Sequence, residues 1–250
     1  MHPGFGVYIH IPFCAKKCDY CAFATFTDRH QLTSDYLDAM RTHIRRSVAS
    51  GMPKATSVFI GGGTPTLVPA DELMSVLAEI KLANNAEVTV ECNPDDITLP
   101  MMQTFLANSV NRVSIGVQST VGHVLKSLGR THNPENVQRS VSIVRQAGFK
   151  TFNLDIIYGA AGETVADWSQ TVSDVVALDP PHVSAYGLTV EANTVLATQP
   201  DRHPDDDDQA DKYIICDDLF ESRGLANYEI SNWAKTGHEC EHNSLYWQQG

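Results

Sequence analysis

Cys14, Cys18 and Cys21 stand in a C-x3-C-x2-C spacing inside YIHIPFCAKKCDYCAF, directly after an apolar run with the character of a strand. Three thiols in eight residues call for a metal, and this constrains the chain more than any other feature. A zinc site normally closes with a fourth side chain, and His10, four residues before Cys14, offers one. Iron-sulfur loops with four cysteines fill every iron from the protein. Three cysteines therefore suit a 4Fe-4S cluster with one iron left open to a small molecule, and both readings stand at this point. Cysteines this close on one short loop seldom pair cleanly as a disulfide.

The chain has 250 residues and is 42% hydrophobic, enough for one large core and near the size of a single (β/α) barrel. Its formal net charge of −12 argues against nucleic acid or an anionic membrane as a main partner, since both want a basic face. MHPGFGVYIH lacks a basic stretch followed by an apolar one, and no run approaches the length of a membrane span, so a cytoplasmic protein without a transmembrane segment is expected. Six cysteines, three of them clustered, fit a reducing compartment where thiols serve metals.

Strand-like runs alternate with helix-period segments, as parallel βα units do. Strands are predicted at 7–11, 57–60, 87–92, 112–118, 151–157 and 183–188. Between the first two, Leu37, Met40, Ile44 and Val48 recur at helical spacing, with Ser34 as N-cap and Gly51 as stop. Leu73, Val76, Leu77 and Ile80 mark a second helix after Pro69, and a third starts near Thr98 and Pro100. Further helices are predicted at 133–148, through Val165, Trp168, Val172 and Val176, and at 209–224. The expected fold is α/β, a partial (β/α)6 parallel barrel over residues 1–200. Residues 201–250 follow as an acidic linker, a helix and a C-terminal segment lying on or near the barrel mouth. The prolines and aspartates of QPDRHPDDDD, 199–208, read as a solvated loop, with calcium binding the sharper alternative. Cys92 and Cys216 read as buried small hydrophobes, while Cys240, two residues before His242, is open.

Strand parity adds a second signal. Glu91 opposes Val88, Val90 and Cys92; Gln118 opposes Val113, Ile115 and Val117; Asp155 opposes Phe152, Leu154 and Ile156; Tyr8 and His10 oppose Val7, Ile9 and Ile11. In a parallel barrel the C-terminal strand ends form the mouth, so these polar residues are predicted to converge on the cysteine loop. Buried carboxylates there need a ligand or a partner such as Arg130, unless they merely link strands to one another. Gly61, Gly62 and Gly63, leading into Thr64 and Pro65, permit a sharp turn and a close backbone approach to a ligand. The run is neither a dinucleotide fingerprint nor a P-loop.

The cysteine spacing with Tyr20 before the last cysteine, together with FIGGGTPT, ECNPDD, RVSIGVQS, LGRTH, FNLDIIYG and YEISNWA, resembles the radical S-adenosylmethionine (SAM) superfamily over nearly the whole chain. The similarity is to the branch of oxygen-independent coproporphyrinogen III oxidases and the heme chaperones that look like them. The resemblance implies that Cys14, Cys18 and Cys21 hold a 4Fe-4S cluster whose open iron binds SAM. It implies SAM contacts at Tyr8, Tyr20, Gly62, Gly63, Thr64, Glu91, Gln118, Arg130 and Asp155. HNSLYW, 242–247, looks like the chaperones' H-N-x-x-Y-W motif, which implies heme as a ligand, His242 as its contact, a heme-acceptor protein as partner and an electron donor to the cluster. Spacing alone favours a His-Asn turn leading into a core aromatic pair over heme ligation. The oxidases have a longer N-terminal extension and a further cysteine where Phe23 stands, which favours the chaperone over oxidative decarboxylation of coproporphyrinogen III. Family members continue past this motif, so a fragment or a truncated form is expected.

Overall fold

A computed structural model describes residues 4–248. Six parallel strands follow one another in chain order: β1 (Gly6–Ile11), β2 (Ala55–Gly62), β3 (Leu82–Cys92), β4 (Arg112–Gln118), β5 (Thr151–Tyr158) and β6 (His182–Gly187). β1 and β6 do not pair with each other, so the parallel part is open, as a partial barrel requires. Two short strands that the sequence reading omitted, β7 (Ala226–Glu229) and β8 (Asn232–Ala234), form an antiparallel hairpin, with β8 added to the β6 edge. β8 covers an edge that would otherwise offer unpaired backbone groups.

The connecting helices are α1 (Thr33–Ala49), α2 (Ala70–Leu77), α3 (Leu99–Ala107), the short α4 (Gly122–Ser127), α5 (Glu135–Ala147) and α6 (Val165–Ala177). They cover one face of the sheet. Val58, Ile60, Val88, Val90, Val113, Ile115, Phe152 and Leu154 alternate onto that face and are buried under them. Full burial of each such side chain stabilises by about 1.5–3 kcal/mol. Local signals set the helix ends. Thr98 accepts from the Met101 N-H, Thr164 and Asp167 form a reciprocal capping box, and Gly148 ends α5 at φ +106°. Ser34, predicted as an N-cap, lies inside α1, because a 3-10 turn over His30–Leu32 starts the helical path earlier.

Two expectations about the C-terminal region are corrected. The aspartates of 205–208 are not a linker: Asp205 caps α7 (Asp206–Glu221), and the next three occupy its first turn, where their charge complements the helix dipole. The final segment does not lie on the barrel mouth. α8 (Glu241–Trp247) packs at the opposite, N-terminal ends of the strands, near Gly6, Ser57 and Glu87, because a buried glutamate there receives its first backbone N-H groups. Among the described residues no helix is long and apolar enough to cross a membrane.

Candidate functional site

The polar face of the parallel sheet, opposite the helices, borders a cavity of about 560 Å³ at the C-terminal strand ends. Its lining includes Cys14, Cys18, Cys21 and Tyr20 from the loop after β1, and Gly62, Gly63 and Thr64 after β2. Glu91, Gln118, Arg130 and Asp155 line it as well. Strand parity therefore located three of its polar residues. Tyr8 points to the same face but is not among the lining residues; it is half-exposed, and its ring stacks on Phe59 at 6.2 Å. His242 is not among the lining residues; it lies in the first turn of α8.

The cysteine loop is held by backbone pairing and by long-range side-chain contacts. Cys14 N-H donates to Phe26 O, Gly63 N-H to Ile11 O and Thr64 N-H to Phe13 O, so the glycine run and the cysteine loop are zipped together. His30 Nε2 meets the Cys14 carbonyl at 3.1 Å. Arg202 forms an ion pair of 2.9 Å with Asp19, one residue past Cys18. His10 turns away from the thiols: its Nε2 bonds the Ala24 carbonyl at 2.9 Å. Among the described residues no three His, Cys, Asp or Glu side chains converge as a single ion would need. His10, so engaged, does not offer the fourth side chain that a zinc tetrad would take from it.

The glycines are used first by neighbouring protein. A Cβ at Gly62, where φ is +109°, would lie 2.3 Å from His10 Nδ1, and one at Gly63 would lie 2.6 Å from the Phe13 carbonyl and 3.1 Å from Cys14 Sγ. The ligand approach expected from sequence is thus secondary to seating the cysteine loop against β2.

Glu91 receives the Gly62 N-H at 2.9 Å. Burial, then the neighbouring Asp155 charge, pushes its carboxyl from an ordinary 4.5 up to about 7. Asp155 is also raised by burial, opposed by hydrogen bonds from Ser114 and Ser184 and by the charge of Arg112. Facing these acids, Arg130 donates to the Gly116 carbonyl at 3.0 Å, approaches Cys18 Sγ at 3.8 Å and donates from Nε to His132 Nδ1 at 3.3 Å. Burial and the adjacent guanidinium push the His132 imidazole down to about 4, so it is neutral and able to accept. Gln118 reaches the cavity by a non-glycine φ of +62° at a bulge in the β4–β5 ladder. Such backbone strain persists where surrounding contacts over-determine it. Paired acids across from one guanidinium fit a zwitterion carrying an amine, a carboxylate and hydroxyls.

One consequence is measurable without ligand. A folded carboxyl raised to about 7 keeps its proton where the unfolded chain, at 4.5, has lost it. Stability is then fully present below pH 4.5 and is lost as pH rises through about 7, by up to about 3 kcal/mol. Asp155 acts in the same sense. Denaturant unfolding between pH 5 and 8 is expected to show this decline, flattened in Glu91→Gln; an equal slope in both proteins contradicts the assignment.

Sequence reasoning missed His132, two residues past Arg130, and Tyr186, opposite Ile157 in the β5–β6 register. Proximity to Arg130 was a signal for the first; nothing local marks the second. It also missed a second polar centre at the strands' N-terminal ends. There Glu87 accepts from the backbone N-H groups of Glu241 at 3.1 Å and His242 at 3.0 Å, and from Cys240 Sγ at 3.4 Å. Cys240, left open by the sequence, is fully buried. The His242 ring packs against Phe59 at 5.4 Å and Tyr246 at 5.5 Å. Its Nδ1 lies 2.8 Å from Ser57 Oγ, while its Nε2 is buried without a partner. Burial lowers its pKa, with Glu87 opposing.

Comparison with known proteins fits this layout. The Radical SAM superfamily model matches residues 8–175. Heme chaperone HemW of Haemophilus influenzae is 35% identical, the match covering 99% of this chain and 67% of that protein. Heme chaperone HemW of Mycobacterium tuberculosis H37Rv is 38% identical, covering 98% and 66%. The chain thus spans about two thirds of the length of these curated relatives. Among solved structures, coproporphyrinogen III oxidase HemN of Escherichia coli, described as a radical SAM enzyme, superposes with a TM-score of 0.84 at 26% identity. That match covers 95% of this chain and 57% of HemN. The cavity at the strand ends, with three cysteines on one wall and paired acids on another, therefore sits in a chain that belongs to the radical SAM superfamily and is a homologue of the heme chaperone HemW.

Proposed function

We propose that this chain is a cytoplasmic heme carrier that holds a 4Fe-4S cluster on Cys14, Cys18 and Cys21, binds SAM in the adjoining cavity, takes heme at His242 and passes it to an acceptor protein. The donor set fits the cluster, since three thiols share one cavity wall and His10 is engaged elsewhere. Gly62, Gly63 and Thr64 form one side of the SAM site, Glu91 and Asp155 supply acids for its amine and hydroxyls, and Arg130 supplies charge for its carboxylate. Tyr20 and Gln118 complete the wall, while Tyr8 contributes from the open side. When bound, the cluster supplies an electron at the SAM site, received from an electron-donor protein. His132 keeps the Arg130 guanidinium aimed across the cavity.

The observation that carries the heme assignment is the His242 ring: held neutral by burial, packed between Phe59 and Tyr246, and with Nε2 unpartnered. An orphaned buried nitrogen is costly unless it serves a ligand, and a neutral imidazole is a common iron ligand. Titration of hemin into the reconstituted protein is expected to give a saturable Soret band that His242→Ala loses. Undiminished binding by the variant removes the ligand assignment.

Oxidative decarboxylation of coproporphyrinogen III is the second reading, favoured by the likeness to HemN at a TM-score of 0.84. Anaerobic formation of protoporphyrinogen by the reconstituted, reduced protein would support it over the carrier.

A further inference from the structure

Behind the paired acids, toward the N-terminal strand ends, strand register gathers a layer of buried polar side chains. Asn153 and Asp155 share the inner face of β5, and Asn153 pairs with Ser114 of β4 on one side and His182 of β6 on the other. Asn153, Ser114, Ser184 and His182 are almost fully buried, so each polar hydrogen there needs an acceptor. Asn153 Nδ2 lies 2.7 Å from Asp155 Oδ1, 2.7 Å from Ser114 Oγ and 2.8 Å from Ser184 Oγ. Asn153 Oδ1 lies 2.7 Å from His182 Nδ1, and His182 Nε2 lies 2.9 Å from the Tyr228 hydroxyl.

These neighbours fix the direction of each proton. Ser114 donates to Asp155 Oδ2 at 2.6 Å and Ser184 to Asn232 Oδ1 at 2.6 Å, so both serines accept from Asn153. The Asn153 amide must therefore turn its NH2 toward the serines and Asp155, and its carbonyl toward His182. That carbonyl can only accept, which puts a proton on His182 Nδ1. Tyr228 takes the Cys240 N-H at 3.1 Å and has its own proton left for His182 Nε2. Burial holds this ring neutral, well below its ordinary pKa, and the Arg112 charge acts in the same sense. A neutral imidazole with Nδ1-H and a bare Nε2 satisfies both neighbours. The opposite tautomer would set a lone pair against the Asn153 carbonyl and strand the Tyr228 proton.

We infer that His182 is a positioning residue for the SAM site: its Nδ1-H fixes the Asn153 amide, and that amide holds the Asp155 carboxylate where it lines the cavity. The inference rests on the reading of Asp155 as a SAM contact. Neither His182 nor Asn153 lines the cavity, so both act through Asp155. The Asn153 hydrogen bond favours the ionised form of Asp155, against the burial that raises it. The far end of the chain is held by β7, which carries Tyr228, and by Cys240 at the start of α8.

The tautomer is read first in wild-type protein without ligand, by long-range nitrogen–proton correlation with ¹⁵N-labelled histidine. A protonated Nδ1 and a bare Nε2 are expected at His182, and an Nε2-H ring overturns the inference. His182→Leu then removes the donor, while His182→Asn keeps an N-H near the Nδ1 position. The ¹³C carboxyl titration of Asp155 is expected to move up by about one pH unit in His182→Leu, because a hydrogen bond to the ionised form is loosened, and to stay near wild type in His182→Asn. Glu91 of β3, Arg112 of β4 and Tyr186 of β6 also face Asp155, and they are common to these variants. Asn153→Ala is expected to shift Asp155 in the same direction, which keeps the test open where His182→Leu does not fold. In reconstituted protein, equilibrium dialysis of labelled SAM is expected to show affinity about tenfold weaker in His182→Leu, with iron and sulfide content unchanged, and recovered in His182→Asn. Unmoved titration and affinity in folded His182→Leu, with affinity lost in Asp155→Asn, overturns the positioning role and leaves the SAM reading intact. Full affinity in Asp155→Asn overturns the SAM contact, while a shifted Asp155 titration would still support the hold that His182 has on it.

Discussion

Alanine at any one of Cys14, Cys18 or Cys21 is expected to abolish a stable iron-sulfur cluster, while alanine at Cys92, Cys216 or Cys240 leaves it in place. The first three line one cavity wall; Cys92 also borders the cavity but its thiol is buried in the hydrophobic core and donates to the Val90 carbonyl at 3.5 Å, Cys216 is buried in the core, and Cys240 lies beside Glu87. In the proposed cluster site each of the three thiols serves a separate iron, and among the described residues the two nearest histidines are engaged elsewhere. His10 is committed to Ala24 O, and His30 to the Cys14 carbonyl. Loss of a direct ligand exceeds the about 10–100-fold penalty typical of an outer partner. Iron and sulfide content after anaerobic reconstitution, with thiolate-to-iron absorption, reads the result. Full cluster content in Cys18→Ala, or loss of it in Cys92→Ala with the fold intact, would sink the ligand assignment.

The largest stability effect is expected at Lys212, whose ammonium is fully buried between α7 and the turn after β5. It lies 3.1 Å from Glu163 Oε2 and 2.6 Å from Asp208 Oδ2, and donates to the Glu163 carbonyl at 2.9 Å, so its three protons each find an acceptor. Glu163 in turn receives the Gly159 N-H at 2.7 Å. Burial raises the Glu163 carboxyl, opposed by that N-H and by Lys212. Removing the lysine leaves a buried carboxylate without its cation, which costs about 3–5 kcal/mol. Lys212→Met is expected to lower the unfolding midpoint by about 10 °C. With the cation gone, Glu163 rises further, so the deficit is smallest at acid pH and grows as pH rises through its folded pKa. Lys212→Met with Glu163→Gln is expected to recover most of the loss. A single variant within about 1 kcal/mol of wild type, the worth of an exposed pair, would show that the pair is not buried in solution.

What was legible in the sequence was what repeats locally. The βα alternation came through because strand and helix periods are properties of short windows. β3 begins earlier than predicted, at Leu82, because Leu82, Ala83, Asn84 and Asn85 run as an apolar pair and then a polar pair, with no alternation. The β7–β8 hairpin and α8 were missed for related reasons: strands of three or four residues and a helix of two turns are too short to show a period. The acidic run misled because charge alone does not separate a solvated loop from a helix's first turn. At the site, parity placed Glu91, Gln118 and Asp155 on one face, and the cysteine spacing marked the loop opposite them.

The sequence by itself determined the order of strands and helices, the three-thiol loop and the polar strand ends, since each depends on residues within a few positions of one another. Tertiary structure alone decided that Arg202 reaches back to Asp19, that Lys212 meets Glu163, and that α8 turns under the strands instead of onto the mouth. Ser57 and His242 are 185 positions apart, and only the packing of α8 against the sheet, anchored on the buried Glu87, brings them within a hydrogen bond. Such pairs follow from where unsatisfied buried groups can find partners once the core has formed, and no local pattern records that.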